Sequence, residues 1–246
     1  MKHMPRALLF SLLSAAGLSL MLALPSDNAI GVGGGAPPPA EVSIEITDEG
    51  FSPATALVTA GANIHWTNNA TSDQTVTSDS GLFDSATLAP GDGFSINLKI
   101  PDHHQYHSAS NPAFTGTLKV VLAGIDGPPD GLANDYIPDL PFPPSPESDY
   151  SDYPALGVPA SRTQIPGGFS ASATVAQANA ALANAGAGLS GGIDDFGVVL
   201  AEVADSPDFS VINAAIEALR AEPAVEIAAL MVPMQTKIVP RVPEAD

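Results

Sequence analysis

The chain has 246 residues, a formal charge of −19 and no cysteine, and it sets 24 proline and 22 glycine residues against nine phenylalanine, four tyrosine and one tryptophan. The charge repels phosphate backbones and anionic lipid, so nucleic acid and an acidic membrane surface are excluded as partners, and the missing thiol excludes disulfides, thiolate metal sites and cysteine nucleophiles. With so little aromatic material one large core is not supported; two small cores joined by a proline-rich stretch fit the length.

Residues 1–29 place Lys2 and Arg6 ahead of an uncharged, largely apolar run from Ala7 to Leu24 that Pro25 ends, which is the pattern of a secretory signal. The run also just reaches bilayer-spanning length, so an uncleaved N-terminal anchor is the alternative and the only membrane contact expected. On both readings the remainder lies outside the cytoplasm: secreted, periplasmic or on the surface of a bacterial cell. Residues 30–40, IGVGGGAPPPA, read as a linker with nothing to pack.

From Glu41 the texture changes. VSIEI alternates apolar and polar residues, and ALVTA, NIHWTN, QTVTS, FSINLKI and TGTLKVVL follow as further strand-like runs separated by the turn segments DEGFSP, SDSG and APGDG. Many short strands with polar turns predict a β-sandwich over residues 41–122. Residues 123–157 hold eight of the 24 prolines and little periodicity, and read as an acidic, semi-extended linker. Its carboxylates at Asp126, Asp130, Asp135 and Asp139 fit no EF-hand spacing, and Pro128–Pro129 constrain any wrap, so the reading there is a solvated spacer.

Residues 158–246 have another rhythm. SRTQI reads as a strand, and TVAQANAALANAG as a helix with Thr174 as N-cap, Gly186 just past its end, and Val175, Ala178 and Leu182 on one face. GLSGGI and FGVVLAEV are strands. Ser206 and Pro207 are expected to open a second helix with Ile212, Ala215, Ile216 and Leu219 as its stripe; Pro223 stops it, and VEIAALM is the last strand. The resulting β-α-β-β-α-β order is the split, ferredoxin-like arrangement, with a short C-terminal tail.

Within the first module, WTNNATSDQTVTSDSGLFDSATLAPGDGFSINL followed by YHSASNPAFTGTLKV resembles the plastocyanin/amicyanin-like branch of the cupredoxin family. The resemblance covers about eighty residues and implies a Greek-key β-sandwich and one copper ion held by two His, one Cys and one Met. Such a site needs two imidazoles and a thiolate in a plane with a weak axial thioether. The matching positions here are Gln74, Ser108, Asn111 and Phe114. An amide oxygen is a weak ligand, a serine hydroxyl stays protonated near neutrality, and a phenyl ring has no lone pair. The expectation is therefore a former copper site repacked as a structural plug, in which Gln74, Ser108 and Asn111 hydrogen-bond one another and Phe114 covers them.

His103, His104 and His107 form a cluster that invites a metal reading. Alternation points His107 away from the old pocket, His103 and His104 fall in the preceding turn, and the expectation is a solvated polar turn with at most adventitious Zn or Cu at the surface. His65 reads as an ordinary strand residue, and the acceptor sequence Asn69-Ala70-Thr71 is given no functional weight.

Residues 158–234 resemble, less specifically, the ferredoxin-like prodomain found ahead of some secreted subtilisin-type proteases, through VPASRTQI, TVAQANAALANAGAGLSGGI and INAAIEALRAEPAVEIAAL. That family's module assists folding of its protease and blocks the active site with its sheet and tail. No Asp/His/Ser triad can be assembled, since His3 lies in the N-terminal segment and the other histidines cluster in the first module. The sequence thus predicts mainly β plus α+β architecture: a cupredoxin-like β-sandwich, then a small βαββαβ domain. It predicts a non-enzymatic secreted or cell-envelope protein with no catalytic or cofactor-binding residue and no cofactor, whose partner is another protein. Two alternatives stand beside it: a plastocyanin-type electron-transfer protein with copper as cofactor, and a trans-acting inhibitor or folding helper of a subtilisin-type protease.

Overall fold

The computed structural model describes residues 20–22, 41–144 and 146–233. Of the N-terminal segment 1–29 only the backbone of one short strand, β1 (Leu20–Leu22), is included; the rest of the signal or anchor, the 30–40 linker and the tail from residue 234 lie outside the described residues.

Alternation builds the first module. In β2 (Glu41–Thr47) Val42, Ile44 and Ile46 are buried while Glu41, Ser43 and Glu45 are exposed, and β5 (Asn63–Asn68) buries Ile64 and Trp66 in the same way. With β3 (Gly50–Ser52) and β7 (Gly93–Asn97) they form a sheet in the order β3-β2-β5-β7. The second sheet, β4-β9-β8-β6, comprises β4 (Thr55–Thr59), β6 (Thr77–Ser78), β8 (Asp102–His107) and β9 (Thr115–Val121). Pairing is mixed: β2 runs parallel to β5 and β4 parallel to β9, and the other pairs are antiparallel. The core centres on Trp66, which meets Tyr106 edge-on at 5.6 Å, with Phe83 and Phe94 at 6.0 and 5.8 Å; Phe51 meets the far side of Tyr106 at 4.7 Å.

The second module begins with the hairpin β10 (Tyr150–Tyr153) and β11 (Val158–Ser161). It continues as β12 (Gln164–Phe169), α1 (Val175–Asn184), β13 (Gly188–Ile193), β14 (Val198–Glu202), α2 (Ser210–Ala221), β15 (Val225–Ala228) and β16 (Leu230–Val232), the last paired with β1. The antiparallel sheet runs β13-β14-β12-β15, the ferredoxin-like order for βαββαβ. The fold class expected from the sequence is the one observed. Both helices lie on one face, where Val175, Ala178, Leu182, Ile212, Ile216 and Leu219 bury against Ile165, Phe169, Val199 and Ala201. Each large aliphatic side chain so buried stabilises by about 1.5–3 kcal/mol.

Local chemistry sets the element ends. Thr174 caps α1 through a capping box: its hydroxyl accepts the Gln177 N–H, and its own N–H donates to the Gln177 side chain. Gly186 follows with φ +64, as a helix end requires. The second helix starts later than expected, at Ser210 rather than at Ser206–Pro207. The Asp208 carboxylate accepts the Ser210 N–H and the Ser206 and Ser210 hydroxyls, and those bonds hold it down at about 2. The expected strand SRTQI is broken, because the Ser161 hydroxyl accepts the N–H groups of Thr163 and Gln164 and turns the chain between β11 and β12.

Residues 123–157, read as a linker, are folded onto the second module. Ile125, Ala133, Ile137 and Tyr153 enter its core, and two 3-10 turns, Ala133–Asp135 and Glu147–Asp149, shape the path. Proline lowers the entropy lost on ordering such a segment, so a few buried apolar side chains suffice to hold it. The same stretch covers the sheet face opposite the helices. Phe142 lies where a Cβ at Gly191 would stand, and the Gln164 side chain donates to the Pro143 carbonyl at 3.0 Å.

Gly116 faces the ring of Tyr106 so closely that a Cβ there would overlap its Cζ and hydroxyl. Phe51 and Trp66 block the ring's retreat. Gly116→Ala is therefore expected to lower stability by about 1–3 kcal/mol, measured by urea unfolding followed at Trp66.

Candidate functional site

Two places on the molecule concentrate polar groups: the loop pocket of the first module and the seam between modules. The pocket is built by three segments. Gln74 is fixed by a two-way backbone bridge to Leu88, with N···O distances of 3.0 and 2.8 Å. Ser108 follows β8, while Asn111 and Phe114 lie in the turn before β9, where the chain closes on itself. The Ser108 N–H donates to the Phe114 carbonyl, the Asn111 N–H to the Ser108 carbonyl and the Phe114 N–H to the Asn111 carbonyl, at 3.0, 3.1 and 2.9 Å.

The side chains saturate one another inside that frame. The Ser108 hydroxyl donates to Gln74 Oε1 at 2.9 Å and accepts the Thr75 N–H at 3.1 Å; Gln74 Nε2 donates to the Ser72 hydroxyl at 3.0 Å. Ser108 and Gln74 are buried, and Phe114 packs partly buried on the sandwich core. Of the three residues expected to hydrogen-bond together, Gln74 and Ser108 do so through side chains, and Asn111 joins through its backbone. This donor set does not fit the imidazole, thiolate and thioether requirements of a blue-copper ion, and its hydroxyl and amide are already engaged with protein partners. Among the described residues no group of three or more His, Cys, Asp or Glu is arranged to hold a metal ion.

The histidines are placed differently from the solvated turn expected. All three lie on β8. His107 Nδ1 pairs with Asp79 at 2.6 Å near the surface, and His65 Nδ1 meets the Ser95 hydroxyl at 2.7 Å. His104 is half-buried; burial lowers its pKa against the opposing charge of Asp102, and its Nε2 is buried without a protein partner. His103 is the correction. Its side chain is 6% exposed, its Nδ1 meets the Pro144 carbonyl at 3.1 Å and its Nε2 meets Glu202 Oε2 at 2.8 Å. The cause is the second module, whose β14 stands against β8 and removes this edge of the sandwich from water.

His103 opens onto a buried ionic cluster. Lys119 of β9 is 1% exposed and its ammonium donates to Asp149 Oδ2 at 2.5 Å, Glu202 Oε1 at 3.0 Å and the Thr163 hydroxyl at 2.9 Å. Glu202 is fully buried. Burial alone would raise its carboxyl, but the bond from His103 and the charge of Lys119 outweigh it and hold the carboxyl below its usual value. Lys119 and Glu202 were present in the sequence as single charges inside apolar strand runs, TGTLKVVL and FGVVLAEV, and that was the only sign of them. Around the cluster, Val121 fills the space a Cβ at Gly188 would need, and Leu122 bridges Leu189 by two 2.8 Å backbone bonds. A cleft of about 470 Å³ opens at the outer end of the seam, lined by Asp79, Asp102, His103, His104, Gln105 and Pro144.

No protein-family model matches this chain, and no curated protein does. Among solved structures it is similar to a purple cupredoxin from Nitrosopumilus maritimus, at 22% identity over 32% of this chain and 98% of that one, with a TM-score of 0.31. It is also similar to amicyanin from Paracoccus versutus (14% identity, 32% of this chain, 80% of that one, TM-score 0.30). A third match is a copper-containing nitrite reductase from Thermus scotoductus (18% identity, 39% and 27%, TM-score 0.31).

Removing the hydroxyl of Ser108 leaves Gln74 Oε1 and the Thr75 N–H without their partner in a buried site. Ser108→Ala is expected to cost about 1–3 kcal/mol in urea unfolding, whereas an exposed serine changed in the same way is near neutral.

Proposed function

We propose that the protein is a non-enzymatic secreted or cell-envelope component whose sandwich module has no copper and serves as a structural or protein-recognition unit. The observation that carries this reading is the bond from the Ser108 hydroxyl to Gln74 Oε1, with Thr75 donating back to the same hydroxyl. Where a redox site would need lone pairs open to an ion, this pocket spends them on the protein itself. The covered sheet of the second module also fits a module folded against its own chain rather than one held ready for a protease, since Leu200, Ser190 and Glu202 on that face are all buried. Among the described residues no helix is long and apolar enough to cross a membrane.

Copper titration of the purified protein, followed by visible absorption, tests the reading. The expected result is no intense charge-transfer band and no stoichiometric binding. A strong band with reversible reduction would establish the electron-transfer alternative. The fourfold variant Gln74→His, Ser108→Cys, Asn111→His, Phe114→Met is expected to gain such a band, because it restores the donor types at positions held by an intact loop frame.

A further inference from the structure

We propose that the seam between the two modules is an acid-released latch, in which Lys119, Asp149, Glu202 and His103 hold the modules as one unit and protonation of Glu202 lets them part. The inference is independent of whether copper binds. It rests first on placement. The four groups come from both modules: His103 and Lys119 from β8 and β9, Asp149 from the 3-10 turn before β10, and Glu202 from β14.

Charge gives the direction. The Glu202 carboxylate is the acceptor that Lys119 and His103 share, at 3.0 and 2.8 Å, and Asp149 meets Lys119 from a second side. Protonating Glu202 removes the negative charge from that shared position and leaves Lys119 with Asp149 alone. A buried ammonium with one of its two carboxylates neutralised is less well compensated, whereas separation returns every member to water. Among the described residues no substitute anion adjoins Glu202. Thr163 and Gln164 are the neutral neighbours of Glu202 in the seam, Asp149 is already shared with Lys119, and nearby Arg162 is held by Asp205 at 2.7 Å. At the outer end Asp102 lies beside His104 and Asp79 is paired with His107.

The sign follows from the depressed Glu202 carboxyl. A carboxyl with a lowered pKa in the closed state contributes stability that is present above its open-state pKa and is lost as pH falls through the lowered value. Release therefore occurs on acidification, below the ordinary carboxylate range. Parting the modules bares the part of the sheet around Glu202 and Gly188 that the first module covers, and the faces of β8 and β9 that carry His103 and Lys119.

The test is small-angle X-ray scattering of the full chain across an acid titration, with Trp66 fluorescence read on the same samples. Trp66 is the sole tryptophan and lies fully buried in the first module, so its emission reports unfolding of the sandwich and not parting of the modules. The radius of gyration is expected to rise reversibly before the Trp66 emission shifts. Glu202→Gln keeps the shape and removes the charge; it is expected to increase the open fraction at neutral pH about tenfold or more, without waiting for acid. Lys119→Met is expected to reverse the trend, open near neutrality and closing as the carboxylates are neutralised. Should Lys119→Met shift the Trp66 emission by itself, the Glu202→Gln result decides. A radius that stays constant until Trp66 emission shifts, or a Glu202→Gln protein that opens at the same pH as the parent, would overturn the proposal.

Discussion

A buried ammonium group is the constraint around which this molecule is arranged. Lys119 sits in the middle of a strand whose neighbours Leu118, Val120 and Val121 are all buried, and it has no route to solvent. Such a charge is tolerated only when each of its three protons finds an acceptor. It finds them on three separate segments: the turn at Asp149, the loop residue Thr163 and strand residue Glu202. The sandwich cannot satisfy Lys119 alone, since all three acceptors lie beyond residue 122. This single side chain makes the second module and the proline-rich stretch part of the first module's requirement.

The loop pocket of the first module applies the same rule with neutral groups. A blue-copper loop leaves donor atoms pointing at one spot and lets the ion satisfy them. Here the loop backbone keeps its hydrogen-bonded frame, Ser108 to Phe114, Asn111 to Ser108 and Phe114 to Asn111, while the inward side chains are satisfied by one another. A buried hydroxyl that donates once and accepts once leaves no unpaired polar atom to be compensated. The frame and the function of such a loop are thus separable: the turn is held by main-chain bonds, and the chemistry by four side chains that main-chain geometry does not dictate.

What the sequence made legible follows the same division. Period-two alternation placed β2 and β5 with their buried faces, the Thr174 cap and Gly186 bounded α1, and GLSGGI matched β13 residue for residue, because each of these is set by neighbours a few residues away. The pocket residues were legible through the motif order that surrounds them. The seam was not. His103 meets Glu202 across 99 positions of sequence, and nothing in DHHQYH distinguishes a histidine that faces water from one that a distant strand will cover. The proline-rich stretch misled for a related reason. Its prolines describe a chain with little freedom to lose, and whether it stays extended in solvent or lies on a sheet depends on Ile137, Phe142 and Tyr153 finding a surface elsewhere.

That surface is also why the arrangement of the modules is unique. Two apolar sheet faces can slide by a residue with little loss, since hydrophobic burial has no direction. A buried charge network cannot. Displacing β14 along β9 carries Glu202 away from Lys119 and His103 and removes an acceptor from both. The two glycines beneath the contact act in the same direction: Val121 occupies the space over Gly188 and Phe142 the space over Gly191, so the first module and the strap each have one seat on the sheet. Shape restricts the approach and charge fixes the register. A seam specified in this way need not exceed an apolar one in stability to be the one that forms, because each competing alignment strands an ion where no water can reach it.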